Sequence, residues 1–182
     1  MSDIPYALIR SKRKTISIVI KPSGEVEVRC PKRCSRREVD AFVLSRKDWI
    51  EKHLSAIAER PNLPILKQAE IRELAKQAAA ILPERVRFFA QQMGLSYGRI
   101  TIRSQRTRWG SCSAKGNLNF NCLLMLMPQE VRDYVVIHEL CHRREMNHSA
   151  AFWAEVERYC PGYRLHRKWL KDNGAALIGR LP

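Results

Sequence analysis

The segment that decides the fold of this 182-residue chain is His138-Glu139-Leu140-Cys141-His142. Residues four apart in an α-helix lie on the same face, so His138 and His142 can bind one metal ion. Glu139 lies beside that face, where its carboxylate can take a proton from an attacking water molecule. This HExxH pattern therefore predicts a helix that carries a hydrolytic metal site.

The residues around the motif predict a buried helix that begins near Pro128, because proline is favoured in the first turn of a helix. Apolar side chains surround this segment on nearly every side, at Tyr134, Val135, Val136, Ile137 and Leu140. In such a helix His138, Glu139 and His142 would be ionisable groups without obvious partners in the protein. A bound metal ion supplies that partner.

A third protein ligand would complete the set that is typical of catalytic zinc, which keeps one coordination position open. His148 follows His142 by six residues, which leaves room for the chain to turn back to the metal. This geometry predicts a helix that ends near Met146-Asn147, with Asn147 in a left-handed conformation. The alternative ligand is Glu145, which an uninterrupted helix would bring onto the metal-facing side. We favour His148 on the turn chemistry.

Six motifs together resemble the YgjP-like metallopeptidase family, a group of zinc-dependent hydrolases related to the SprT-like proteins. They are Arg108 to Cys112, Asn117 to Asn121, Asp133 to Val136, His138 to His142, Asn147 to Ser149 and Phe152-Trp153. The similarity is densest over residues 99–172. It implies a zincin-type fold with Zn²⁺ as cofactor, His138, His142 and His148 as ligands, and Glu139 as the catalytic acid/base. For SprT-like relatives it implies proteolysis near DNA, and for the YgjP-like branch a hydrolase, with a nucleotide phosphohydrolase role (UTP to UMP and diphosphate) attached to one member.

The N-terminal part of the chain predicts a hairpin followed by a helix. Alternating apolar residues from Ile16 to Cys30, with a turn at Pro22-Ser23-Gly24, are typical of a β-hairpin. Ser35 and Glu38 form a capping box that opens one continuous helix, whose apolar side runs from Val39 to Ile57. We therefore predict an N-terminal β-hairpin and helix lobe over residues 1–60.

The rest of the chain, residues 61–182, is predicted to form a zincin-like metal-dependent hydrolase domain after a proline-containing linker at residues 60–64. A long helix is predicted from Lys67 to Met93, kinked or divided by Pro83 and stopped by Gly94. Further elements are predicted as strands at 99–104 and 117–125 and as a helix from Ser149 to Cys160. Strands and helices in separate blocks indicate the α+β class, with a small mixed or antiparallel sheet.

The segment from Arg106 to Cys112 is the best candidate for an edge strand that holds an extended substrate beside the metal. Arg106 and Arg108 fall on one side of an extended chain, because side chains alternate. Two guanidinium groups near a metal can hold a carboxylate or phosphate. We therefore predict that Arg106, Arg108 and Trp109 bind substrate; the alternative is that they only fasten the strand to the helix beneath it.

The formal net charge of +15 lies mainly outside the motif helices, with +6 in residues 1–60, +7 in 61–127 and +2 in 128–182. Such a field concentrates anions, which include nucleic acid, nucleotides and acidic proteins. No recognisable nucleic-acid motif is present, and the aromatic residues are not interleaved with basic ones. Nucleic-acid proximity is therefore an expectation from charge alone.

Composition favours a cytoplasmic protein. No run approaches eighteen apolar residues, and the N-terminus has no apolar signal segment, so neither a membrane span nor export is expected. The six cysteines are expected to be free thiols, with Cys141 a small packing residue rather than a ligand. The oligomeric state has no signature in the sequence.

These patterns predict a zinc-dependent hydrolase, with the metallopeptidase type favoured. Glu139 is predicted as the general base, with His138, His142 and His148 as the metal ligands. Two alternatives stay open at this point. One is a nucleotide phosphohydrolase that uses the same metal site, and the other is a DNA-associated zinc-binding protein without catalysis.

Overall fold

The computed structural model describes residues 4–21, 23–58 and 63–182. By contacts the chain divides into two compact units, Met1–Asn62 and Leu63–Pro182. The predicted turn residue Pro22 and residues 60–62 of the predicted linker lie outside the described residues. The domain boundary after residue 60 stays a prediction.

The described residues of the first unit form a three-stranded sheet and two helices: β1 (Ala7–Ser11), β2 (Ser17–Ile20), β3 (Val26–Pro31), α1 (Arg36–Leu44) and α2 (Lys47–Ala58). The strand order is β1-β3-β2, with β1 parallel and β2 antiparallel to β3. The β2–β3 hairpin was predicted, whereas β1 was not. Ser35 caps α1, and its Oγ accepts from the backbone amide of Glu38 at 3.2 Å. The prediction of one continuous helix was wrong, because α1 ends at Leu44 with Ser45 as its C-cap.

The second unit combines four helices with a small sheet: α3 (Gln68–Met93), β4 (Ile100–Arg103), β5 (Gly110–Cys112), β6 (Leu118–Asn121), α4 (Gln129–Cys141), α5 (Ala150–Tyr159) and α6 (Tyr163–Gly179). Helix α3 runs unbroken through Pro83 and stops at Gly94, whose φ is +62°. The sheet order is β4-β6-β5, with β4 parallel and β5 antiparallel to β6. The predicted α+β class with a small mixed sheet is confirmed. Residues 122–125, predicted as strand, instead form a 3₁₀ turn.

Helix α4 is the central element of the second unit. It begins directly after Pro128, as predicted, and its buried side chains are Val131, Tyr134, Val135, Val136, Ile137, Glu139, Leu140 and Cys141. Arg85 of α3 holds Asp133 of α4 in a bidentate ion pair, with N–O distances of 2.8 and 2.7 Å. Burial on several sides and this ion pair hold the helix in place, and with it His138 and Glu139 of the motif.

All six cysteines are free, as predicted. Burial raises the pKa of Cys141 to about 12, so this thiol stays protonated and acts as a small packing group. Within the described ranges, no helix is long and apolar enough to cross a bilayer.

Candidate metal centre

Three histidines from α4 and from the loop after it converge at one point. His138 lies in the last turn of α4, His142 directly follows the helix, and His148 precedes α5. One ring nitrogen from each lies within 4.8 Å of the others. The Nε2 atoms of His138 and His148 are 3.0 Å apart. His142 is only 8% exposed, whereas His148 is exposed, so the cluster is open to solvent on the His148 side.

The loop that returns His148 begins earlier than predicted. Helix α4 ends at Cys141, and no described residue other than glycine has a positive φ, so Asn147 is not a left-handed terminator. That prediction was wrong. Instead, the backbone amides of Arg143 and Glu145 donate to the carbonyls of Leu140 and Cys141 at 2.9 and 3.0 Å. This tight turn ends the helix and leaves a short loop that brings His148 back to the motif.

The same turn selects one tautomer of His142. Its Nδ1 lies 3.0 Å from the backbone carbonyl of Glu145. A carbonyl oxygen can only accept, so Nδ1 must carry the proton and Nε2 keeps a free lone pair. A carbonyl in this position commonly orients a metal-binding histidine. Glu145, the alternative ligand, thus acts through its main chain, and the cluster formed by the described residues contains histidines only.

The aromatic rings of Phe152 and Trp153 pack against the three imidazoles. The ring of Phe152 stacks on His142 at a centroid distance of 4.5 Å, and lies 4.9 Å from His138 and 4.7 Å from His148. Its position is fixed at the start of α5, where Ser149 Oγ accepts from the Phe152 amide at 3.3 Å. Trp153 stacks on His148 at 5.7 Å. These contacts restrict the orientation of each imidazole before any ligand binds.

Burial favours the neutral form of His138 and His142. It lowers the pKa of His138 to about 3, and the neighbouring charges of His142, His148 and Arg167 add to that effect. Burial also lowers the pKa of His142. A neutral imidazole is the form that binds metal. The Nδ1 atom of His138 is buried and has no hydrogen-bond partner among the described residues.

The donor set fits a divalent cation. With Zn–N bonds of 2.0–2.1 Å, the nitrogens of a tetrahedral site are about 3.3 Å apart. The 3.0 Å separation of the His138 and His148 Nε2 atoms is close to that value. Neutral imidazoles with one fixed tautomer suit a metal better than a protonated cluster, in which like charges would repel.

The carboxylate of Glu139 lies against β5. Its side chain is buried, with 5% of the residue exposed. A Cβ atom at Gly110 would lie 2.5 Å from Glu139 Oε1 and 2.8 Å from its Cδ, so only glycine leaves room for the carboxylate. Burial raises the pKa of Glu139 to about 8, while the charge of Arg108 opposes the rise. No role was predicted for Gly110 from the sequence, although glycine within a strand often marks such a close approach.

The raised pKa of Glu139 predicts a pH-dependent stability difference in the metal-free protein. A carboxyl group whose pKa is raised on folding contributes its full stabilisation at pH values below 4.5, its pKa in the unfolded chain. This contribution is lost as the pH rises through the folded pKa of about 8. The glutamine of Glu139→Gln does not ionise, so the variant does not lose this stabilisation. The free energy of unfolding of the variant minus that of the wild type should therefore rise by about 3 kcal/mol between pH 5 and pH 8. Urea unfolding of chelator-treated proteins measures this difference. A difference that stays constant with pH would contradict the prediction.

The three residues predicted to bind substrate have different surroundings. Arg106 donates to the backbone carbonyls of Leu181, at 2.8 Å, and Pro182. Trp109 packs against α6, where a Cβ at Gly174 would lie 3.2 Å from its ring. These contacts attach the loop to the C-terminal segment. The guanidinium of Arg108 is exposed and near Glu139, and substrate binding by all three stays a prediction.

The HExxH helix and the cluster of three imidazoles are typical of a metal-dependent hydrolase. The family model described as "YgjP-like, metallopeptidase domain" matches residues 14–74 and 64–173. The chain belongs to this family, as the resemblance predicted.

Two crystal structures are similar to parts of this chain. One is the metallopeptidase zymogen of Pyrococcus abyssi abylysin, at 22% identity and a TM-score of 0.46 over 50% of this chain and 93% of the other. The second is the metallopeptidase zymogen of Methanocaldococcus jannaschii jannalysin, at 21% identity and a TM-score of 0.41 over 48% and 93%. No curated protein matches the chain.

Proposed function

We propose that this chain is a zinc-dependent peptidase in which His138, His142 and His148 hold the metal and Glu139 moves the proton. The observation that supports it most directly is the convergence of three imidazole nitrogens within 4.8 Å, next to a buried carboxylate. Zinc bound there would polarise the scissile carbonyl and lower the pKa of water towards about 7. Three protein ligands leave one position open for that chemistry.

Glu139 has the environment of a general base. Its raised pKa brings the carboxyl close to neutral pH, the range in which proton transfer in both directions is efficient. In the proposed reaction Glu139 Oε1 or Oε2 takes the proton of the attacking water and then delivers it to the leaving amine. Gly110 has no side chain, and this leaves room for the carboxylate beside β5.

Strand β5 offers the substrate a main-chain partner. In the order β4-β6-β5 it is an edge strand, and among the described residues it pairs only with β6. An extended peptide that adds to this edge would gain backbone hydrogen bonds. Its main chain would then pass Gly110, and therefore the Glu139 carboxylate.

A parallel assay of two substrates tests both the substrate class and the dependence of the activity on metal. We expect the zinc-loaded protein to cleave an unfolded polypeptide, and chelation to reduce this activity by ~100-fold or more, with recovery on addition of zinc. Nucleoside triphosphates, assayed in parallel, should not be hydrolysed. Hydrolysis of the triphosphates alone would overturn the peptidase proposal, as would polypeptide cleavage that is unaffected by chelation.

A further inference from the structure

A polar pocket of about 440 Å³ lies on the side of β5 that faces away from Glu139. Its lining residues, here called the arginine pocket, are Arg103, Ser104, Gln105, Arg108, Ser111 and Asn119. Ser111 and Asn119 are directly paired across β5 and β6. Side chains alternate along a strand, so Ser111 faces opposite to Gly110, which contacts Glu139. The lining contains no acidic side chain.

A buried asparagine holds this pocket in place. Asn121 is fully buried, and its Nδ2 donates to the backbone carbonyls of Gln105 and Arg108 at 2.6 and 3.1 Å. Its Oδ1 accepts from the amide of Leu123 at 3.1 Å. The loop that carries Arg108 is therefore tied to the sheet before a ligand binds, which lowers the entropy cost of binding.

The two guanidinium groups of the arginine pocket have no direct partner among the described residues, although Arg108 lies near the carboxyl group of Glu139. Within residues 4–21, 23–58 and 63–182, the guanidinium groups of Arg103 and Arg108 have neither an ion pair nor a hydrogen bond to protein. No aspartate or glutamate occurs in the sequence between Glu84 and Glu130. Two such guanidiniums beside neutral hydrogen-bond donors suit a carboxylate, which arginine can bind with two parallel hydrogen bonds.

We propose that the arginine pocket binds an acidic side chain of the peptide substrate. The inference rests on the proposed peptidase function and names the substrate class. A peptide strand added to β5 presents alternate side chains to the two faces of the sheet. Those that face the same way as Ser111 lie beside the pocket, while the main chain passes the edge near Glu139. Arg108 lines the pocket and also lies near Glu139. Binding of the acidic residue would therefore fix the position of the peptide relative to the Glu139 carboxylate.

The test measures binding without turnover. Zinc-loaded Glu139→Gln protein is titrated with labelled peptides that differ only by Glu or Gln at one position, scanned along the peptide. We expect a ~10-fold preference for Glu at one or two positions, reduced at least threefold by Arg103→Gln and by Arg108→Gln. The control is Arg99→Gln, which makes the same change in charge next to β4 at a residue that does not line the arginine pocket, although the groove that Arg99 lines also includes Arg103. The preference should also weaken as salt is raised.

Three results would overturn the proposal. They are equal affinity for Glu and Gln peptides at every position, a preference that survives in both pocket variants, and an equal loss in the Arg99→Gln control. A nucleoside triphosphate that binds more tightly than every acidic peptide, and loses affinity in the two pocket variants, would assign the pocket to phosphate instead. Because hydrolysis is not measured, absence of peptide cleavage by the wild type would count against the proposed function without altering this result.

Discussion

Glu139→Gln is expected to lower kcat/KM for peptide cleavage by ~10³-fold while zinc content and fold stay unchanged. General acid–base catalysis commonly contributes 10²–10⁴-fold, and glutamine keeps the shape of the side chain but cannot exchange a proton. The side chain is buried beside Gly110, and glutamine fits the same space. The measurement is steady-state cleavage of an unfolded polypeptide by zinc-loaded protein, with zinc per chain determined on the same samples.

Glu145→Gln is the matched control, because it makes the same chemical change in the loop beside the site. The contribution of Glu145 to His142 comes from its main-chain carbonyl, which the substitution leaves intact. We expect it to retain most of the activity. If Glu139→Gln kept wild-type activity with a full complement of zinc, the proposed role of this carboxylate would have to be abandoned.

Sequence patterns predicted correctly those helix ends that depend on interactions between residues close together in the chain. The capping box at Ser35, the stop of α3 at Gly94 and the start of α4 after Pro128 all depend on backbone hydrogen bonds and φ values within a few residues. The spacing of His138 and His142 likewise needs only the geometry of one helical turn. These features followed from the sequence for that reason.

The early end of α4 depends on contacts between distant residues, and the sequence could not reveal it. Arg143 donates from Nε to the carbonyl of Ser96 at 3.0 Å, and Arg144 from Nη2 to the carbonyl of Met93 at 2.6 Å. These bonds join the turn after α4 to the end of α3, 47 and 51 residues earlier. A left-handed Asn147 was a reasonable local solution, but the long-range bonds stabilise a turn that begins sooner.

The surroundings of Glu139 could not be predicted from local sequence patterns either. Gly110 and Glu139 are 29 residues apart in the sequence, and only the packing of β5 on α4 brings them together. The same holds for Arg106, whose guanidinium reaches the carbonyls of residues 181 and 182. A motif can identify the residues of a site, but which distant residues each of them contacts depends on the tertiary structure.

His148→Ala is expected to lower zinc affinity by ~100-fold or more, whereas Glu145→Ala should bind zinc like the wild type. Even residues that only orient metal ligands affect affinity by 10–100-fold, so loss of a ligand should cost at least as much. His148 contributes a nitrogen to the cluster, 3.0 Å from His138 Nε2. Glu145 contributes a carbonyl, which alanine retains. Competition titration with a zinc chelator measures both affinities on the same scale.

His148 is exposed, and among the described residues its side chain forms a hydrogen bond only with His138. Its replacement therefore tests metal binding rather than the stability of the chain. His138 and His142 are less exposed and would be poorer choices, because a cavity at either position would destabilise the packing around Phe152. The opposite pattern, zinc lost in Glu145→Ala and kept in His148→Ala, would replace the third imidazole by a carboxylate. Two histidines and one carboxylate also suit ferrous iron, so that result would call the choice of metal into question together with the choice of ligand.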